Sequence, residues 1–158
     1  MRAALFLAAA LVGCVDKADD SGDAGNSPIE REVHAAINDY RESIGLPALI
    51  LDADVSAVAR EHSDNMYAET VPFSHDGFEG RTEAIFDLRP SATAVGENVG
   101  YTFGYDEPVP IVVQGWLDSP PHKENIEGEW THTGIGVAEP PEADGTYYFT
   151  QLFVLDPS

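Results

Sequence analysis

Apolar residues recur along this chain with two periods, and the change from one to the other divides it. Ile29, Val33, Ile37, Tyr40 and Ile44 are spaced as one face of a helix. Ser27-Pro28-Ile29-Glu30 gives that helix a cap, a proline in its first turn and a glutamate able to close a capping box, and Gly45 is placed to end it. A second helical stripe (Val55, Val58, Ala59, His62, Met66) predicts a helix from Asp52 or Asp54 to about Glu69. Residues 81–88 read as a short helix closed by Arg89-Pro90, and 109–117 as a longer one halted by Pro120-Pro121. Between them lies an apolar patch of Val99, Tyr101 and Phe103, with Glu97 near its start. From there the period shortens. Residues 131–138 and 147–155 are rich in β-branched and aromatic residues, and 139–146, with Pro140-Pro141 and Asp144-Gly145, reads as the connection of an antiparallel pair. Helices first and a hairpin last predict an α+β fold.

The ends of the chain read differently. Arg2 is the only charge before an apolar run from Ala3 to Val12, too short to span a bilayer and suited to the core of an export signal. Leu11-Val12-Gly13-Cys14 resembles a bacterial lipobox, and Cys14 is the chain's one cysteine, so no internal disulfide supports the fold. Residues 1–13 are therefore expected to be a lipoprotein signal peptide. Residues 14–28 would be a lipidated Cys14 followed by an acidic tether (Asp16, Asp19, Asp20, Asp23) with little to bury. Residues 29–158 would form a single domain. The expected location is the bacterial cell envelope, across the inner membrane and held by the lipid alone, with release to the exterior as the alternative.

Charge narrows the partners. The 158 residues carry 8 Lys and Arg against 28 Asp and Glu, a formal net charge of −20. From Ile29 onward six basic residues face 24 acidic ones, so the excess belongs to the domain. Such a field repels nucleic-acid phosphates and anionic head groups and attracts cations. A solvated acidic surface that aids solubility accounts for most of it.

Chemistry concentrates in three fragments. His75 follows Phe73-Ser74 in an irregular segment, Glu97 stands between Gly96 and Asn98, and Ser119 and His122 flank Pro120-Pro121. His62 lies on an apolar stripe and reads as a hydrogen-bonded core residue, and His34 as a boundary residue without a nameable partner. Ser119 and His122 do not make a serine hydrolase, since no Gly-x-Ser-x-Gly elbow or ordered acid accompanies them. No His-Glu-x-x-His string occurs either, but zinc on His75 and His122, with water and Glu97, is chemically reasonable. Asn98 could orient Glu97 or tie down the backbone. His132 joins the cleft only if its strand register turns it that way.

The ordered set resembles the CAP superfamily of cysteine-rich secretory, antigen 5 and pathogenesis-related 1 proteins, in its cysteine-poor bacterial branch of SCP-like domains. The residues that carry the resemblance begin with His62-Ser63-Asp64-Asn65-Met66, Phe73-Ser74-His75 and Gly96-Glu97-Asn98-Val99. They continue with Trp116-x-x-Ser119-x-x-His122-x-x-Asn125-Ile126, Thr131-His132-Thr133-Gly134-Ile135-Gly136-Val137 and Tyr148-Phe149-Thr150-Gln151-Leu152-Phe153. The resemblance implies an α-β-α sandwich with a central cleft holding two histidines and two acids, in some members with zinc or another divalent cation. On this chain the histidines are His75 and His122, and one acid is Glu97. The second acid's position is Ser119, so the set is incomplete. The implied function is a surface-displayed, monomeric binding module for a small molecule, lipid, peptide or glycan, requiring no cofactor. Its alternatives are a metal-assisted hydrolase of an envelope or extracellular polymer, with Glu97 as general base, and a polar cluster that only rigidifies the sandwich.

Overall fold

The computed structural model describes residues 25–139 and 145–158. The expected signal, Cys14 and most of the tether lie outside the described residues, as does most of the hairpin connection. In chain order the elements are α1 (Pro28–Ser43), β1 (Ile50–Leu51), α2 (Ala53–Tyr67), α3 (Phe78–Leu88), β2 (Ala94–Phe103), α4 (Pro108–Asp118), α5 (Pro120–Ile126), β3 (His132–Ala138) and β4 (Thr146–Leu155). The four strands form one sheet in the order β1-β3-β4-β2. β1 runs parallel to β3, and β4 pairs antiparallel with β3 and β2.

The alternation of β4 separates two cores. Phe149 and Phe153 face one way and pack with Ile135 and Val137 of β3 against Val33, Ile37, Val112, Trp116 and Ile126 of α1, α4 and α5. Leu152 and Val154 face the other way, against Val55 and Ala59 of α2 and Ile85 of α3. The result is the α-β-α sandwich expected from the sequence.

Local chemistry explains the element ends. Ser27 and Glu30 form the capping box, with Ser27 N donating to Glu30 Oε2 at 2.7 Å and Glu30 N to Ser27 Oγ at 3.4 Å. Glu30 is fully buried because it also accepts from Arg60 (Nε, 2.7 Å; Nη2, 2.6 Å) and from Val137 N at 3.2 Å. Asp52 caps α2 through Asp54 N and Val55 N at 2.8 and 2.9 Å. Arg41, 1% exposed, holds the end of α1 to the chain leaving α5 by donating to Ile126 O and Gly128 O at 2.6 and 2.9 Å.

Four elements differ from the sequence expectation, the first being β1, a two-residue strand that the sequence does not announce. The short third helix begins at Phe78, not residue 81, because Gly77 takes a left-handed φ of 79° and starts the turn early. The patch around Val99 is the second half of a ten-residue strand. Pro120-Pro121 end one helix and also open the next, where a missing N–H costs nothing. No helix among the described residues is long and apolar enough to cross a membrane.

Candidate functional site

β2 is one of the two outer strands, and its alternate residues serve two faces. Glu97 points to the α2–α3 side. Its neighbour Asn98 points to the α4–α5 side, where its Nδ2 donates to His122 O at 3.1 Å and its Oδ1 accepts from Asn125 at 2.9 Å. Asn125 also donates to Glu97 O at 3.0 Å, and Trp130 Nε1 donates to Asn125 O at 2.7 Å. Asn98 is fully buried. The structure thus makes it a tie between β2 and α5 and does not bring it to Glu97's carboxylate.

Glu97 has two side-chain partners. His75 Nδ1 is 2.8 Å from Oε1, and Arg81 lays its fork across the carboxylate, with Nε to Oε2 at 2.6 Å and Nη2 to Oε1 at 2.8 Å. Arg81 further donates to Asp76 O at 3.0 Å and His75 O at 3.4 Å. The Glu97 side chain is 1% exposed, that of Arg81 11% and that of His75 52%. Glu97 accepts, so His75 Nδ1 carries the proton of the bond between them.

His62 fixes the segment that carries His75. It is 4% exposed, and its ring Nε2 lies 3.0 Å from Ser74 O. Burial pushes its pKa down, so the ring is neutral and donates to that carbonyl. This agrees with a hydrogen-bonded core histidine. His34 does have partners, Leu49 O at 2.8 Å and Asn38 Nδ2 at 3.0 Å, which its local sequence did not reveal. His132, on β3, bonds Thr131 Oγ1 at 2.9 Å and feels the charges of Arg89, Asp156 and Asp52.

His122 lies on α5, whose backbone Asn98 ties to β2. Burial lowers its pKa, and the charge of His75 adds to the effect, which places the two rings within electrostatic range. Its Nδ1 is buried without a hydrogen-bond partner. Ser119 joins α4 to α5 as cap of both, but its hydroxyl does not cap α5. A cavity of about 320 Å³ between α2 and α3 lies behind this network, with His62, Asp76 and Arg81 in its wall.

Sequence reasoning missed Arg81. Its only local signal is that it is one of few cations in an acidic chain. The charges it meets are 16 residues away on another element. Among the described residues no group of three or more His, Cys, Asp or Glu is arranged to hold a metal ion.

A family model described as the cysteine-rich secretory protein family matches residues 34–153. No curated protein sequence matches the chain. Among solved structures, an extracellular protein containing an SCP domain from Bacillus anthracis is similar at 25% identity and a TM-score of 0.66, over 81% of this chain and 40% of that one. An outer surface protein of Borrelia burgdorferi shares 21% identity with a TM-score of 0.64, over 81% of this chain and 92% of that one. A cysteine-rich secretory protein of Staphylococcus aureus shares 23% identity with a TM-score of 0.58, over 80% of this chain and 38% of that one. The last two likenesses are of fold alone. The chain spans less than half the length of the Bacillus and Staphylococcus proteins.

Proposed function

Because the chain belongs to the cysteine-rich secretory protein family, matched over residues 34–153, we propose that it acts outside the cytoplasm as a binding module, taking its ligand between His75 and His122. The observation that carries this reading is the buried, unpartnered Nδ1 of His122, within electrostatic range of a His75 whose Nδ1 is already bound to Glu97. A buried polar atom without a partner is costly, and a ligand that bonds it removes that cost. Native mass spectrometry of the chain after mild extraction is expected to show a co-purified ligand that is lost in His122→Ala. Repeatedly empty spectra, or a ligand held equally by His75→Ala and His122→Ala, would reject it.

Export supports the same reading. The Bacillus protein is extracellular by name and the Borrelia protein is an outer surface protein, and residues 1–14 have the pattern of a lipoprotein signal. A palmitate analogue is expected to label the wild-type chain and not Cys14→Ala. An unlabelled wild type would remove the lipid anchor.

A divalent cation is the second reading. Glu97 orients His75 as an outer-shell carboxylate orients a metal-ligating imidazole. Zinc sites that do chemistry keep three protein ligands. Here the set is two imidazoles, since both Glu97 oxygens already hold donors, so it fits a loosely held cation completed by water. The same occupancy counts against Glu97 as a general base, and so against the hydrolase alternative. Zinc bound at equilibrium dialysis is expected to fall about tenfold or more in either His75→Ala or His122→Ala, and to rise in Ser119→Glu, which supplies the missing acid. Unchanged zinc content in all three variants would reject the metal.

A further inference from the structure

The helices cover only part of the free edge of β2. Its pairing with β4 runs from Ala94↔Leu155 to Phe103↔Thr146, and a bond from Gly104 N to Gly145 O continues that register. In an antiparallel pair alternate residues turn N–H and C=O toward the neighbour, and those between turn both away. Gly104 belongs to the first set, so Glu97, Val99, Tyr101 and Phe103 present their backbone to the outside. Asn125 caps Glu97 O at 3.0 Å and Trp116 caps Val99 O at 2.9 Å. No such cap reaches Tyr101 or Phe103 among the described residues. An uncovered edge of this kind is a template for another strand.

Rings stand beside that edge. Tyr101 lies 5.2 Å from Phe73 and 6.1 Å from Tyr148, centroid to centroid, and Phe73 lies 6.1 Å from Tyr148. Phe73, Tyr101 and Phe103 are 45%, 57% and 66% exposed. Acidic residues border them, with Glu69 just past the end of α2 and Asp106 and Glu107 just past β2, all exposed. Arg60, Arg81 and Arg89 do not offset that charge, because they are spent on Glu30, Glu97 and the pair Asp52 and Asp156. A net charge of −20 on each molecule also opposes pairing of this edge with a second copy.

We infer that the Tyr101–Phe103 edge receives an extended cationic segment of a partner protein, which adds a strand beside β2. Its backbone bonds Tyr101 and Phe103, and its Lys or Arg side chains lie over the rings of Phe73, Tyr101 and Tyr148. This surface goes beyond the His75–His122 site, since it uses backbone groups and rings and neither histidine.

A capped peptide alternating lysine and threonine, titrated calorimetrically into the full chain at about 0.15 M salt, is the probe. The control has the same sequence with every backbone N–H methylated, so it lacks the N–H groups a strand needs in either direction. The control is expected to bind at least roughly tenfold more weakly. Phe103→Pro, which removes an outward N–H and spares the β4 ladder, is expected to weaken the lysine–threonine peptide by a similar factor. Tyr101→Ala is expected to weaken it about threefold through loss of a ring face. Equal binding of both peptides would reduce the attraction to charge alone and overturn the inference, and this arm does not depend on how any variant folds. Binding of a neutral chito-oligosaccharide with no uptake of the peptide would overturn it in favour of a glycan.

Discussion

Gly136→Ala is expected to cost at least about 3 kcal/mol of stability, the upper end of what an inserted methyl group does in a packed interior. A Cβ at Gly136 would stand 2.0 Å from Arg60 N and 2.2 Å from Ala59 C. Both are backbone atoms of α2, so no side-chain rotation relieves the clash. The helix must lift from β3, and with it go the contacts of Val55 and Ala59 with Leu152 and Val154. The same movement would pull Arg60 from Glu30, whose buried carboxylate also accepts from Val137 N. Urea denaturation is the measurement, and a fall in melting temperature of roughly 10 °C should accompany it. The control is Gly115→Ala on α4, where nothing lies within 4 Å of the new Cβ. That change should be neutral or stabilising by up to about 1 kcal/mol, since alanine favours helix. A Gly136→Ala protein as stable as the control would mean that α2 does not sit against β3 as closely as described.

This example also shows where sequence reading succeeds and where it stops. The stripe Val55, Ala59, Met66 is visible as a helix because the period is local. That α2 lies directly on Gly134 and Gly136 is not, because a glycine in a strand marks a close approach without saying what approaches. β2 was half legible. Val99, Tyr101 and Phe103 alternate as a strand should, but Gly96, Glu97, Asn98 and Gly100 break the apolar pattern. Gly96 and Gly100 are there because Trp130 and Trp116 pack where side chains would be, and Glu97 and Asn98 because each meets a partner from another element. Pro120-Pro121 read as a stop because proline ends helices, and the start they also provide has the same sequence signature. His75 and Glu97 were both named from their surroundings, and they do bond. The guanidinium that sets their chemistry was not. Arg81 carries no motif, and its pairing with Glu97 exists only once α3 packs beside β2.

Arg81→Met is expected to cost about 3–5 kcal/mol, because it removes the fixed positive charge from a carboxylate whose side chain is 1% exposed. The pair itself is worth much less than that. Desolvation of both ions offsets most of their attraction, so the double variant Arg81→Met with Glu97→Met should recover a large part of the loss. If the two single changes add instead, the ion pair does not organise this corner of the fold. Arg81 is a positioning residue: its fork holds the Glu97 carboxylate, and that carboxylate holds the His75 ring by Nδ1.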